Sequence, residues 1–330
     1  MGYVFKKMAK KYLPKGKKLR RLIRHPGLLL KMGNLDLNFD INNTIMLAGS
    51  ARSGTTWVAN IINYNNEYRM MFEPFHPTRV DYCQILKNKS YISTENKDEE
   101  LINLFKFVLS GRIRSLRINR YNTRWISKKR IIKEVTGNLF LKWLKINFPQ
   151  VPIILLMRHP FSVAVSKIKL NFSNPDKEIE ILFSQEKLVN DYLIDYRMIA
   201  KNLNSIFEKY VFIWCVENYI PIRQFRKDEI YISFYENLCL KSIEEVTRLF
   251  LFLNKEVNKK VINMIKIPSQ TVKEHSSILT GDNLIHEWKK SVKKIDIEKG
   301  TKILKSFKLD KIYNERSIPD INELHKIMYY

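Results

Sequence analysis

The chain has 330 residues, 45% of them hydrophobic and 12% aromatic, with a net charge of +25; this is ample material for one large α/β core or two small ones. Three scattered cysteines (Cys83, Cys215, Cys239) without metal-ligand spacing argue against a disulfide framework or a zinc site and fit a reducing, cytoplasmic setting. No apolar run is long enough to span a bilayer, and neither internal repeats nor low-complexity stretches stand out.

The charge is uneven. Residues 1–31 hold eleven Lys or Arg and no acid, and taking those eleven from +25 leaves +14 on the rest. A basic balance of this size suits an anionic partner: nucleic acid, a membrane surface or an acidic small molecule. The apolar run Leu28 to Leu30 is too short for a secretory signal, and Lys6 stands where a myristoylation site needs Ser or Thr. A solvated tail and a peripheral arm touching anionic membrane are both open readings of this segment. The expected organisation is a basic extension over 1–40 and one domain over 41–330, because no linker interrupts the latter.

In chain order, Ile45 to Ala48 reads as a buried strand and Val58 to Ile62 as part of a helix. Between them Gly49 and Gly54 stand at the spacing of a Walker A phosphate loop, followed by Thr55 and Thr56. A triphosphatase needs Lys at position 55 to reach the β and γ phosphates; here it is Thr, and the cation, Arg52, sits inside the loop. Residues 68–72 read as a second strand ended by Glu73-Pro74, and 98–110 as a helix stopped by Gly111. A third strand over 130–135 precedes a helix over 137–148. Residues 151–157 form an apolar run buried on both faces, followed by Arg158-His159-Pro160 and a helix through Lys169. Helical periods resume over 186–226, 229–235 reads as a further strand, and the remainder is mostly helical. The expected fold class is therefore α/β: a P-loop-like parallel sheet with helices on both faces, in a single domain.

In such sheets ligands lie beyond the carboxyl ends of the strands. Residues 50–56 can aim successive backbone N–H groups at an oxyanion, aided by the helix that begins near Gly54. Arg52, Ser53, Gly54, Thr55 and Thr56 thus form a cradle for one phosphate-like group. Where a triphosphatase ends its apolar strand in an acid for magnesium, this chain has Arg158. Pro160 suits the first helical position, and Ser162 and Ser166 then share a face turned back toward Arg158. Arg158 and Ser166 make a second anion site. Two anion sites without the lysine or the acid point to a nucleotide with separated phosphates and no metal requirement.

The stretch "RSGTTW" (52–57) resembles the 5′-phosphosulfate loop of sulfotransferases that use 3′-phosphoadenosine 5′-phosphosulfate (PAPS), and "PIILLMRHPFSVAVS" (152–166) resembles their 3′-phosphate motif. The resemblance runs from about residue 44 to 290. It implies PAPS as sulfate donor, no metal, and Trp57 and Tyr235 near the adenine; Trp57 also reads as a core aromatic. Asn237 stands where the family usually has Asp. "HSSILTGDNLIHEWKKSV" (275–292) loosely resembles a late loop over the 3′-phosphate, with Lys273, Ser276 and Ser277 as weaker candidates.

Cytosolic members place a His two residues after a Lys at the third strand's end; Lys133-Glu134-Val135 lacks it. The Glu-Pro pair at 73–74 is similar to carbohydrate sulfotransferases, whose base is a glutamate, which implies Glu73 as base and Lys133 on the bridging or a sulfuryl oxygen. Glu73 is expected in extended geometry because it precedes proline. A salt bridge to a loop arginine and a helix N-terminal role are rival readings of Glu73, and His76 is the reserve base. The implied activity is sulfuryl transfer to a carbohydrate or glycolipid hydroxyl, by a cytoplasmic enzyme that touches membrane at most peripherally. Protein-tyrosine or small-molecule acceptors are the alternative. A P-loop kinase and a non-enzymatic nucleic-acid binder explain less, and no specific nucleic-acid fingerprint is present.

Overall fold

The computed structural model describes residues 34–265, 267 and 283–328. Five strands, β1 (Thr44–Gly49), β2 (Tyr68–Phe72), β3 (Lys129–Glu134), β4 (Ile153–Met157) and β5 (Tyr231–Phe234), form one wholly parallel sheet in the order β2-β3-β1-β4-β5. In register, Leu47 lies opposite Lys133 on one side and Ile154 on the other. The order reverses at β1, whose two neighbours are reached in opposite directions. The crevice at its carboxyl end is where such sheets bind ligands.

The strands alternate between two cores, as a two-residue period requires. Ile45, Leu47, Ile131, Ile154 and Leu156 pack with Val58 and Ile61 of helix α1 (Thr55–Ile62) on one face. Met46, Ala48, Ile132, Ile153 and Leu155 pack on the other, against helices α2 (Glu99–Leu109), α3 (Leu141–Asn147) and α4 (Pro160–Lys169). Helix α5 (Pro175–Phe183) and the long α6 (Ile206–Gln224) complete that layer. Helices α7 (Tyr235–Leu240) and α8 (Ser242–Phe252) cover β5 on the first face. The expected parallel sheet with helices on both faces is thus the observed one.

Several expectations need correction. The helix expected over 137–148 opens as a 3-10 turn at Asn138–Phe140, because Gly137 precedes it without a side-chain cap, and becomes α-helical only at Leu141. The helical stretch expected from 186 to 226 is continuous only over Ile206–Gln224; before it the chain passes through short α, π and 3-10 pieces. Residues 170–185, which fall between the helix expected to end at Lys169 and the helical periods from 186, contain α5, with Asn174 capping the N–H groups of Asp176 and Lys177 and Pro175 at the first position. Tyr235, expected to end the last strand, begins α7. Among the described residues no helix is long and apolar enough to cross a membrane. The basic segment 1–31 and the candidates Lys273, Ser276 and Ser277 lie outside the described residues.

Candidate active site

The loop from β1 to α1 is shaped by two left-handed residues. Arg52 has φ 75° and Gly54 φ 95°, and Gly54 is the N-cap of α1. A Cβ at Gly54 would lie 2.8 Å from the Tyr235 ring, so the backbone here approaches an aromatic that α7 supplies. At Gly49 a Cβ would meet the Leu156 carbonyl oxygen at 2.5 Å, which fixes the close packing of β1 on β4. Ser53, Thr55 and Thr56 are buried, and Ser53 Oγ has no hydrogen-bond partner.

Two contacts join this loop to the end of β4. Arg52 Nε donates to Ser166 Oγ at 3.1 Å, and Arg158 Nη1 donates to the Arg52 carbonyl oxygen at 3.1 Å. Ser166 was expected beside Arg158; its hydroxyl is instead bonded by Arg52. Burial, and then the charge of Arg158, lower the pKa of Arg52. Arg158 stacks over the Tyr235 ring at 4.3 Å, and its Nε is buried without a partner. Tyr235 meets Trp57 edge-on at 5.7 Å between centroids. Trp57, in the first turn of α1, is packed in the core, where its Nε1 donates to the Ile265 carbonyl at 3.3 Å, and it also lines the cleft.

His159 and Glu236 brace this corner from below. His159 is buried neutral, its pKa lowered to about 3 mainly by desolvation. Its ring stacks on Trp288, its Nδ1 accepts from the Phe161 N–H, and its Nε2 donates to the Asn314 carbonyl at 3.0 Å. Glu236 accepts from the His159 N–H at 2.8 Å and the Tyr313 hydroxyl at 2.9 Å. Burial raises its carboxyl to about 6.

At the carboxyl ends of β2 and β3, Glu73 meets two cations. Lys133 Nζ donates to its Oε1 at 2.9 Å, and Arg117 Nη2 to its Oε2 at 2.6 Å. Burial pushes the Glu73 carboxyl up, but Lys133 and then Arg117 and Arg120 outweigh it and hold the group below its ordinary value. Burial lowers Lys133 in turn, against the opposing charge of Glu73. Glu73 is left-handed at φ 48°, not extended as its place before proline suggested. Its N–H continues the sheet by donating to the Lys133 carbonyl at 2.8 Å, and two residues later the Phe75 N–H turns inward to Glu134 Oε2 at 3.0 Å. That reversal needs a tight bend at Glu73, and its side-chain ion pairs oppose a strain of about 1–3 kcal/mol. The salt bridge to a loop arginine that competed with the base reading is therefore present. His76 lines the same cleft, kept neutral by burial and by Arg79 and Arg117, with its pKa lowered to about 4.

A cleft of about 360 Å³ joins these parts, lined by Arg52, Gly54, Thr55, Thr56, Trp57, Glu73, His76, Lys133, Arg158 and Tyr235. Every expected site residue except Ser53 and Ser166 lies on its wall, and Ser166 is one hydrogen bond away through Arg52. Gly54 at the N-cap of α1, with Thr55 and Thr56 in its first turn and Arg158 across from them, lines the cleft where a helix N-terminus can receive an oxyanion. Among the described residues no group of three or more His, Cys, Asp or Glu could hold a metal ion.

The family model described as a sulfotransferase domain matches residues 42–306. The chain belongs to the PAPS-dependent sulfotransferase family. Among solved structures it is similar to the sulfotransferase domain of the Synechococcus PCC 7002 olefin synthase, at 17% identity and a TM-score of 0.42, covering 80% of this chain and 94% of that one. It is also similar to a mouse sulfotransferase complexed with PAP, at 15% identity and a TM-score of 0.40, covering 84% and 88%. No curated protein matches the chain.

Sequence reasoning missed two groups in this sulfotransferase. Arg117 and Arg120 lie in a stretch to which the sequence pattern assigns no element, although arginine recurs through "GRIRSLRINR". Lys89, Glu178 and Glu217 form a buried ion-pair cluster, with Lys89 and Glu178 on the cleft wall. Its signal was Glu217, the one charge within the apolar stretch Tyr210 to Tyr219 of α6.

Proposed function

We propose that the enzyme transfers the sulfuryl group of PAPS to a hydroxyl of a carbohydrate or glycolipid. The observation that carries this reading is the arrangement of two anion sites, tied through Arg52, on the wall of one cleft that also carries the Glu73–Lys133 pair. Arg52, Ser53, Gly54, Thr55 and Thr56 would hold the 5′-phosphosulfate. Arg158 would hold the 3′-phosphate, with Ser166 acting through Arg52. Trp57 and Tyr235 would wall the adenine.

Sulfuryl transfer is an in-line displacement whose catalysis is mostly positioning and charge stabilisation, by analogy with phosphoryl transfer. Glu73 is ionised and would accept the proton of the acceptor hydroxyl. In the resting enzyme both its oxygens are occupied by cations, which weakens it as a base. Moving the Lys133 hydrogen bond from Glu73 to a sulfuryl or bridging oxygen would free Glu73 Oε1 as charge builds on the departing phosphate. A carbohydrate acceptor is supported by the polar lining beyond Glu73, where His76, Asn88, Thr136 and Ser173 offer hydrogen bonds to hydroxyls. A tyrosine or small phenol is the second reading, favoured by the Phe172 ring on the same wall.

Sulfate transfer from labelled PAPS to glycans, glycolipids, phenols and tyrosine peptides tests the assignment. Transfer to phenols or peptides alone would replace the acceptor class. We also propose that residues 1–31 make a peripheral contact with anionic membrane, as their eleven cations would allow. Deleting them should abolish sedimentation with anionic liposomes while preserving PAPS affinity; equal sedimentation would refute the contact.

A further inference from the structure

Six cations line the cleft: Arg52, Arg79, Lys89, Arg120, Lys133 and Arg158. Four have evident work. Arg52 and Arg158 form the donor's anion sites, Lys133 pairs with Glu73, and Lys89 pairs with Glu178 and Glu217. Arg79 and Arg120 remain, and among the described residues neither has a carboxylate within ion-pair distance.

Both stand next to Glu73 and its partners. The charge of Arg79 acts on His76 and Arg117, and that of Arg120 acts on Glu73, Arg117 and Lys133. Phe72, the last residue of β2, gathers the cations: the Arg120 guanidinium lies 3.6 Å from its ring centroid, Lys133 Nζ 4.3 Å and the Arg117 guanidinium 5.7 Å. A guanidinium stacked flat on a ring keeps the donors on its edge free for a planar oxyanion.

This position is built rather than accidental. The loop that carries Arg117 and Arg120 is pinned to β2 by main-chain bonds. Arg69 donates to the Gly111 and Ile113 carbonyls, both at 2.6 Å, and the Phe72 N–H donates to the Ile118 carbonyl at 2.9 Å. Asn122 exchanges bonds with both backbone groups of Met70, at 2.7 and 3.1 Å. Arg79, from the segment after β2, and Arg120, from this loop, line the same cleft and both act on Arg117, and such like charges repel unless an anion joins them.

We propose that the acceptor carries an oxyanion of its own, a carboxylate, phosphate or sulfate ester, which Arg79 and Arg120 hold while its hydroxyl faces Glu73. This rests on the reading of Glu73 as the reacting end of the cleft and narrows the acceptor from a carbohydrate to an anionic one. The donor's sulfuryl group is the competing occupant of the two arginines.

Two matched pairs of probes separate these cases: p-nitrophenyl β-glucuronide against the β-glucoside, and N-acetylglucosamine 6-phosphate against N-acetylglucosamine. Calorimetry on the full chain, with and without saturating PAP, gives their affinities. At least one oxyanion-bearing member should bind about tenfold or more tightly than its neutral partner, the margin of a charge-assisted hydrogen bond. Which pair separates tells carboxylate from phosphate. Arg79→Gln and Arg120→Gln should each erase most of that margin while PAP affinity and the melting temperature stay within error of the wild type. Equal binding within both pairs, or no binding by any member, overturns the proposal. A margin that survives both substitutions, or substitutions that weaken PAPS binding while the margin persists, would reassign the arginines to the donor. Failure of PAP itself to bind falls instead on the donor reading, because the pairs are also measured without it.

Discussion

Arg52 Nε and Ser166 Oγ lie 3.1 Å apart, joining the first loop of the sheet to the helix that follows its most buried strand. With the Arg158 bond to the Arg52 carbonyl at 3.1 Å, this makes the two anion sites one mechanical unit. The Arg52 guanidinium is held by a hydroxyl and the Arg158 guanidinium by a backbone carbonyl before any anion arrives, and such preorganisation lowers the ordering cost of binding.

The Arg158→Ala variant should bind PAP at least about tenfold more weakly, since a charge-assisted hydrogen bond contributes about 1.5–3 kcal/mol. PAPS should weaken equally, because both carry the 3′-phosphate. Calorimetry with PAP measures this directly, and unchanged affinity would remove Arg158 from the donor site. Loss of the Tyr235 stack would accompany the substitution, so Arg158→Lys is a useful companion: it keeps the charge, and should recover part of the affinity.

Gly54→Ala addresses the loop backbone alone. A methyl at φ 95° is strained and would lie 2.8 Å from the Tyr235 ring. The expected outcome is a loss of about 1–3 kcal/mol in stability together with weakened PAP binding, read by thermal melts and calorimetry. A variant that melts and binds like the wild type would show that loop and ring move apart freely.

Most of the frame of this site was legible in the sequence. The strand β1, the glycines at 49 and 54, and the arginine after β4 declare themselves because a buried parallel strand is a continuous apolar run and its end is abrupt. The acceptor side was not legible. Arg117 reaches Glu73 across 44 positions of sequence, and Arg120 stacks on Phe72 across a similar distance; no periodicity encodes such pairs. The helix α5 does not declare itself because its sequence is polar apart from Leu182 and a few partly buried apolar residues. Glu73's left-handed backbone was hidden for a different reason: the preference of a residue before proline is local, whereas its two ion pairs are tertiary.

Glu73→Gln should leave PAP affinity nearly unchanged and reduce turnover by about two to four orders of magnitude. The wild-type pH profile should carry a matching signature. Lys133, Arg117 and Arg120 hold the carboxyl below its ordinary value of 4.5, so the base stays ionised at every pH above that value. The acid limb of kcat/KM should therefore lie below pH 4.5, and kcat/KM should stay level with respect to this group at neutral pH. A limb near neutral pH that disappears in His76→Ala, with Glu73→Gln still active, would exchange the two roles.

The buried carboxyl of Glu236 makes a prediction about stability. Desolvation raises it from 4.5 to about 6 in the folded chain, because its hydrogen bonds from the His159 N–H and the Tyr313 hydroxyl, together with the charge of Arg158, only partly offset the loss of water. Between those values the folded protein keeps a proton that the unfolded chain has released. Stability contributed by this group is therefore present below pH 4.5 and is lost as pH rises through about 6. The difference corresponds to about 2 kcal/mol. His159, whose folded pKa is lowered to about 3, acts in the opposite sense, so the raw profile mixes the two. Subtraction isolates Glu236: in Glu236→Gln the amide oxygen can still accept from His159, and its N–H can donate to the Tyr313 oxygen, while His159 titrates as before. Denaturant titrations from pH 4 to 7.5 should show the wild type losing about 2 kcal/mol relative to the variant across this window. A constant difference between the two proteins over that range would mean that Glu236 titrates in the folded state as it does in the unfolded chain, its hydrogen bonds and the charge of Arg158 fully offsetting its burial.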